Sequence, residues 1–405
     1  MKKILSLLLA LVMVFALVAC GNASNVGSQN PGNETPDSQT SDAPKHKDMG
    51  TIMWLSHISS GISYDAFANY MTACCEALGY KLVIVYGDAM GDAATNLQTI
   101  QNNMTDDVVG LLVSQDGGLQ SIMEEYPNLW VVGFNVDLRS VFDESGANHG
   151  VMEMDHFLGA IYDGYETGDQ YGVDFANYVI EQGYKKVAIL NFPAFAYPSQ
   201  TEADIAFRAT VEEYNASAAE PIEIVGDTTT LMFTPLEESW FLEEGHDDLD
   251  AIVGFLHGQR FVYPAMVSAI ANGTCSPDTK LITGGVADDP SKDDVGDDKT
   301  VVRLQCTPIE DIAYCLILID NAITGNLPAD FEVVPVGGAP YVIDSAEDME
   351  NVVTKALFGT ANPELAQLTV DEVVALCGRN NPNLTFAELI EVFHSISVEE
   401  LNELN

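Results

Sequence analysis

From Thr51 onward the chain alternates two apolar rhythms. Short runs, Thr51 to Leu55, Lys81 to Tyr86, Val108 to Val113 and Trp130 to Phe134, are almost wholly apolar and run into Ser, Gly or Asn. Between them lie longer stretches with apolar residues three and four apart: Ser63 to Leu78, stopped by Gly79, then Ala93 to Met104 and Leu119 to Tyr126. A short continuous apolar run predicts a strand buried on both faces, and the 3.6-residue rhythm predicts an amphipathic helix. Ser63 is placed to cap the first helix with its hydroxyl.

The same alternation restarts further on. Gly172 to Glu181 is helical and stops at Gly183, and Lys185-Lys186 leads into the strand Val187 to Leu190. There follow a helix Glu202 to Tyr214, a strand Ile222 to Val225, a helix Leu236 to Glu244 and a strand Asp250 to Phe255. Helix Tyr263 to Ala271, strand Lys280 to Thr283, strand Thr300 to Gln305 and helix Ile309 to Thr324 complete the run. Strands alternating with crossover helices predict an α/β protein with parallel sheets. The repetition predicts two Rossmann-like lobes with a hinge: lobe 1 over 51–160 with 306–335 returning to it, and lobe 2 over 161–305. The segment 336–405 carries a helical extension, with Thr369, Thr385 and Ser397 in position to open its helices.

The N-terminus follows a different logic. Lys2 and Lys3 precede an apolar run, Ile4 to Ala19, too short to cross a bilayer comfortably and ending in small residues. That run closes on Leu17-Val18-Ala19-Cys20-Gly21, which resembles a bacterial lipobox. It predicts a signal peptide over 1–19, a lipid on Cys20, and a tether over 20–50 rich in Asn, Ser, Gly, Pro and Thr. Such a tether reaches about 30 Å. The protein would then sit outside the cytoplasm at the outer face of the membrane, held through lipid only.

Charge narrows the function. The chain has 405 residues, 16 Lys+Arg against 61 Asp+Glu, and a net charge of −45. Phosphate backbones are bound by basic surfaces, so nucleic acid is excluded as a partner. Seven cysteines include Cys20; the other six show neither C-x-x-C nor a zinc-like spacing and are expected to be buried thiols. No G-x-S-x-G, P-loop, H-E-x-x-H or G-x-G-x-x-G occurs, so neither catalysis nor a cofactor or metal is expected.

Four pieces carry a resemblance. They are Val109 to Asp116 followed by Val131 to Asp137, then Asp169 and Gly172 ahead of Ala176 to Ile189, then Leu249 to Phe255, and last Pro308 to Gly325. Their order and spacing resemble the type I periplasmic-binding-protein superfamily, in its ribose-binding and lactose-repressor-core branch, over about 51–345. Where repressors carry a helix-turn-helix, this chain has the signal and tether. The resemblance implies a solute-binding protein that closes its lobes on a small molecule and delivers it to an ATP-binding-cassette permease.

Ligands of open parallel sheets bind beyond the carboxyl ends of the strands. The candidates are therefore Ser59, Ser60 and Tyr64 after the first strand, with His57 beside them; Asp116; Asn135 and Asp137; Phe195 and Tyr197; His257, Gln259 and Arg260; Asp288; and Gln305. Amides and carboxylates suit sugar hydroxyls, and aromatic faces cover the apolar side of a ring. Asp116 and Asn135 could instead cap helices. Trp54 reads as core, Arg208 as structural, and both histidines as solvated or hydrogen-bonded.

The sugar-binding pattern is not kept throughout. His257-Gly258-Gln259-Arg260 stands where the family often has Asn-Asp, and Gly284-Gly285-Val286 where it often has Gly-Phe-Asp. Ligand identity thus stays open between a sugar and a nucleoside. A surface sensor reporting to a membrane kinase is the alternative to an importer component, and an exported hydrolase a third possibility. The C-terminal helices are expected to brace one lobe.

Overall fold

The computed structural model describes residues 48–59, 61–88, 91–136, 138–162, 168–194, 196–285, 291–357 and 366–404. The signal segment, Cys20, nearly all of the tether, Ser60, Asp137, Phe195 and Asp288 lie outside the described residues. No helix of the described residues is long and apolar enough to cross a membrane.

Two sheets organise residues 46–405, which form one compact unit. The first contains β1 (Gly50–Ser56), β2 (Tyr80–Tyr86), β3 (Val108–Val113), β4 (Trp130–Phe134), β5 (Phe157–Tyr162) and β12 (Pro335–Gly337). Its order is β12-β5-β4-β3-β1-β2, and every pairing in it is parallel. The second contains β6 (Lys186–Asn191), β7 (Glu223–Ile224), β8 (Thr229–Thr230), β9 (Ala251–His257), β10 (Lys280–Gly284), β11 (Val301–Cys306) and β13 (Tyr341–Ile343). Its order is β13-β11-β10-β9-β6-β7, with β8 also on β6 and β13 antiparallel to β11. This is the two-lobed α/β architecture expected from the alternation.

Both faces of each sheet are buried, as the unbroken apolar runs require. In β1, Ile52 and Trp54 pack with the helix Ile62–Leu78, while Met53 and Leu55 join the opposite face with Ile100, Leu119 and Ile122. In β9, Ile252 and Leu256 face one cluster and Val253 and Phe255 the other. Successive side chains of a strand alternate faces, so a run without polar interruption can only sit between two helical layers.

Some local expectations are corrected. Ser63 is buried, its hydroxyl finds no hydrogen-bond partner among the described residues, and the first helix starts after Gly61 without a side-chain cap. The stretch Leu236 to Glu244 contains only a 3₁₀ turn, Glu238–Leu242. Strands β5, β8, β12 and β13 were not foreseen; the last three are two or three residues long and carry no periodicity of their own.

The C-terminal segment forms three helices, Val370–Leu376, Phe386–His394 and Val398–Glu403. Thr369 and Thr385 each form a capping box, with Glu372 and Glu388, and Ser397 accepts from the Glu400 amide. The segment lies along the Ile62–Leu78 helix and the helix Asp311–Thr324. Tyr70 donates to the Leu368 carbonyl at 2.5 Å, the Gly378 amide to Asn321 at 2.6 Å, and Arg379 to the Leu78 carbonyl at 2.9 Å. Arg379 also pairs with fully buried Asp320 at 2.9 Å, and Tyr80 donates to the same carboxylate at 2.9 Å. The segment does not stop at one lobe. Its last helix packs on β13 of the second sheet and on the helix Ala346–Asn351, and Lys355 holds the Leu401 carbonyl at 3.1 Å.

Candidate interlobe site

The carboxyl ends of the two sheets converge. Arg139, five residues beyond β4, forms a two-pronged ion pair with Glu202 on the helix Pro198–Asn215, which follows β6. His57 beyond β1 lies near enough to His257 at the end of β9 to depress its proton affinity. A cavity of about 650 Å³ beside the ion pair is lined from the first lobe by Phe142, Asp143 and Tyr162 and from the second by Asp169 and Ile205.

On the first lobe, Trp54 is buried as the strand pattern implied, yet its edge serves the site. Its indole N–H donates to Ser114 at 2.9 Å, and its face stacks on Tyr64 at 5.7 Å and 25°. Tyr64 in turn shares a hydrogen bond of 2.6 Å with Tyr86. Ser59 is exposed on the loop just before. Asn96, wholly buried, accepts from the Asp88 amide at 2.9 Å and donates to the Gly117 carbonyl at 3.0 Å, pinning the loops after β2 and β3 together. These loops touch so closely that a Cβ on Gly117 would sit 2.0 Å from the Gly91 carbonyl oxygen.

Asp116 accepts from Ser140 at 2.5 Å, while Asn148 donates to the Asp116 carbonyl at 3.0 Å. Its carboxylate therefore holds two loops of its own lobe in place and does not cap the next helix. Asn135 adopts φ +50°, and its amide donates to the Ile161 carbonyl at 2.9 Å. A left-handed non-glycine residue is costly away from functional positions, and Asn tolerates it best. Its conformation turns the chain at the end of β4.

On the second lobe the geometry turns on a bulge. In the β9–β10 ladder, Thr283 pairs with Gly254, but Gly284 already pairs with His257. The extra residues of β9 are held by Thr283, whose hydroxyl accepts from the Gly258 amide at 2.9 Å and lies 2.8 Å from the Leu256 carbonyl. Bulges re-aim side chains at strand ends, and here His257 and Gln259 follow directly. Gly285 lies against His257 with φ +132°; a Cβ there would meet the His257 Cα at 2.9 Å. Gln259 is 1% exposed, and neither its amide nitrogen nor its oxygen has a hydrogen-bond partner among the described residues. Arg260 is exposed.

An aromatic group lies beyond β6. Phe192 contacts Tyr197, Phe233 and Phe261 at 5.5, 5.0 and 4.9 Å. Phe233 adopts φ +58°, unusual for a bulky residue. The Gln305 amide donates to Asp174 at 2.7 Å, beside the Arg303 pairs with Asp174 and Asp344, both at 3.1 Å. Arg208 is bound to Asp204 and Thr228, both at 2.8 Å, in keeping with a structural role.

Both histidines are half-buried, and His57 is hydrogen-bonded to the Ser114 backbone. His57 Nδ1 is buried without a partner among the described residues, and burial holds the ring's pKa below the usual histidine value. Burial first, then the neighbouring His57 and Arg260, pushes His257 down to about 4. A histidine depressed in the native state binds fewer protons than the unfolded chain, so its stabilising contribution is complete above pH 6.5. It declines as pH falls from 6.5 through about 4, by about 2 kcal/mol at pH 5. Asp344, raised to about 6 chiefly by burial, works in the opposite sense over part of that range. The clean measurement is therefore a difference. The stability gap between wild type and His257→Gln should shift by about 2 kcal/mol in favour of the variant between pH 7 and pH 5; a constant gap removes the argument.

The strand-end rule selects His257, Gln259, Asn135 and Tyr64, which the structure places at or beyond the ends of β9, β4 and β1. It missed Asn96, Phe192, Phe233, Phe261 and the Arg139–Glu202 pair. Asn96 sits mid-helix among polar neighbours, and the others meet only through lobe packing. All six described cysteines are buried and unpaired with one another, as their spacing suggested, and no group of three potential metal ligands occurs among the described residues.

No protein-family model matches the sequence, and no curated protein is significantly similar to it. Solved structures do share its fold. The periplasmic binding component of the arabinose transporter of Shewanella sp. ANA-3, bound to L-arabinofuranose, superposes with a TM-score of 0.55 at 15% identity, covering 80% of this chain and 97% of its own. A glucose-galactose binding protein from Geobacillus stearothermophilus gives 0.54 at 14% identity, over 74% of this chain and 98% of its own. The 5-methylthioribose transporter binding protein of Thermotoga lettingae gives 0.52 at 15%, over 89% and 99%.

Proposed function

We propose that this chain, which has the fold of the type I periplasmic binding proteins, is an extracytoplasmic solute-binding protein that closes its two lobes on a small polar ligand. The ligand is sugar-like, and the protein hands it to an ATP-binding-cassette importer while held to the membrane by lipid on Cys20. One observation carries the binding role. At the carboxyl ends of two different sheets, His57 Nδ1 and both amide atoms of Gln259 are buried without partners among the described residues. Leaving such a group unpaired costs about 1–3 kcal/mol, a cost that a ligand rich in hydroxyls would offset. The partly buried Tyr197 and Phe233, packed on Phe192, are the rings we assign to the apolar face of a sugar. The sugar ligands of the structural neighbours support the same class.

A thermal-shift screen of pentoses, hexoses and nucleosides tests this directly. A ligand at 100 times its Kd adds about 2.7 kcal/mol to stability. A shift with a pentose or hexose is the expected result, and a response confined to nucleosides replaces the ligand class. Slow consumption of a stabilising compound by the purified protein would replace binding with catalysis.

The anchor has its own test. Cys20→Ser should move the protein from the membrane fraction to the soluble fraction, since the acyl chains contribute about 0.8 kcal/mol per buried methylene. Persistence of the variant on membranes would exclude lipid as the anchor.

A further inference from the structure

Among the described residues, the chain passes between the two sheets at 306–311 and at 337–341. Lobe closure about a hinge must bend these crossings. Both are joined by a residue from the C-terminal segment. The Gln367 amide donates to Glu310 at 2.8 Å, in the crossing that follows β11. Its side-chain nitrogen lies 3.1 Å from the Tyr341 hydroxyl, at the start of β13. Tyr341 itself donates to Glu310 at 3.0 Å, and both residues are wholly buried. The ring of contacts is closed from behind: Gln367 donates to the Ser397 carbonyl at 2.7 Å and accepts from its amide at 3.2 Å. One helix earlier, His394 Nε2 lies 2.9 Å from the Gly337 carbonyl, on the same crossing as Tyr341.

We infer that the C-terminal extension is a hinge clamp, in which Gln367 couples the 306–311 and 337–341 crossings and so restrains the opening of the lobes. Tyr341 and Glu310 already tie the two crossings to each other, and Gln367 adds a second tie that fastens both of them to the C-terminal segment. Here Gln367 reaches Glu310, on the way into the first lobe, and Tyr341, in the second sheet, while Arg379 and Leu368 fasten the same segment to the first lobe. Opening that separates Glu310 from Tyr341 must break at least one of these buried hydrogen bonds. The extension therefore acts on the open–closed balance from a place distant from the strand ends that line the cleft. The inference rests on the lobe-closure reading for its consequence, but its test uses no ligand.

Hydrogen exchange on the ligand-free full chain reads it out. Gln367→Ala keeps the main-chain bond to Glu310 but removes the side-chain contacts to Tyr341 and Ser397, so it should raise exchange at least tenfold in segment 337–341 while β1, β3 and β9 keep their protection, and small-angle scattering should show a larger radius of gyration. Unchanged exchange at 337–341, or a rise spread evenly over both sheets, would overturn the clamp. If Gln367→Ala does not fold, the wild-type chain still decides the question. Segments 306–311, 337–341 and 366–369 should then open with one common exchange free energy. Loss of protection at 366–369 while the crossings stay protected would overturn the clamp as well.

Discussion

Replacing Arg379 with Met should lower the unfolding free energy by about 3–5 kcal/mol. The reason is the environment of its partner. Asp320 is 0% exposed within the helix Asp311–Thr324, and its carboxylate faces the Arg379 guanidinium at 2.9 Å. Met keeps most of the apolar stem but removes the positive charge, so a buried carboxylate loses its counter-ion. The Leu78 carbonyl at the end of the first helix loses its donor at the same time. Denaturant unfolding of both proteins measures the loss. The double variant Arg379→Met with Asp320→Leu should recover part of it, because the buried ion pair is replaced by apolar groups while the Tyr80 hydroxyl loses its acceptor. A single-variant loss below about 1 kcal/mol would mean that water reaches the pair.

Replacing Gln259 with Met should separate stability from function. Both polar atoms of Gln259 are buried and unpaired among the described residues, so a methionine of similar shape removes a desolvation cost of about 1–3 kcal/mol and the protein should become more stable. The sugar identified by thermal shift should meanwhile bind at least ten times more weakly, the result the proposed contact between this amide and its hydroxyls requires. A tenfold loss corresponds to about 1.4 kcal/mol. Calorimetric titration supplies the affinity and denaturant unfolding the stability. Unchanged affinity would remove Gln259 from the site. Lower stability would show that the amide serves the fold.

Asp116 is a different case. It stands beside Gln259 as a candidate because both follow strands, and one of its carboxylate oxygens accepts from Ser140. Its loss would act through the loops it holds.

What this chain determined by itself was local and periodic. Unbroken apolar runs forced strands buried on two faces, glycines at 79, 183, 273 and 325 closed helices, and Thr369, Thr385 and Ser397 opened them. These follow from backbone geometry and side-chain hydrogen bonds within a few residues, so no partner distant in sequence is needed to read them. The strand-end rule likewise located His257 and Gln259. It could not say that Gln305 points to Asp174, that His57 and His257 meet, or that Arg139 finds Glu202 63 residues away. Nor could it show that Gln367 closes a ring with Glu310, Tyr341 and Ser397. Those contacts depend on how two sheets are set against each other and on where the chain's end is laid. A polar side chain carries no periodicity to reveal its partner, and its burial exists only once the surrounding layers have packed.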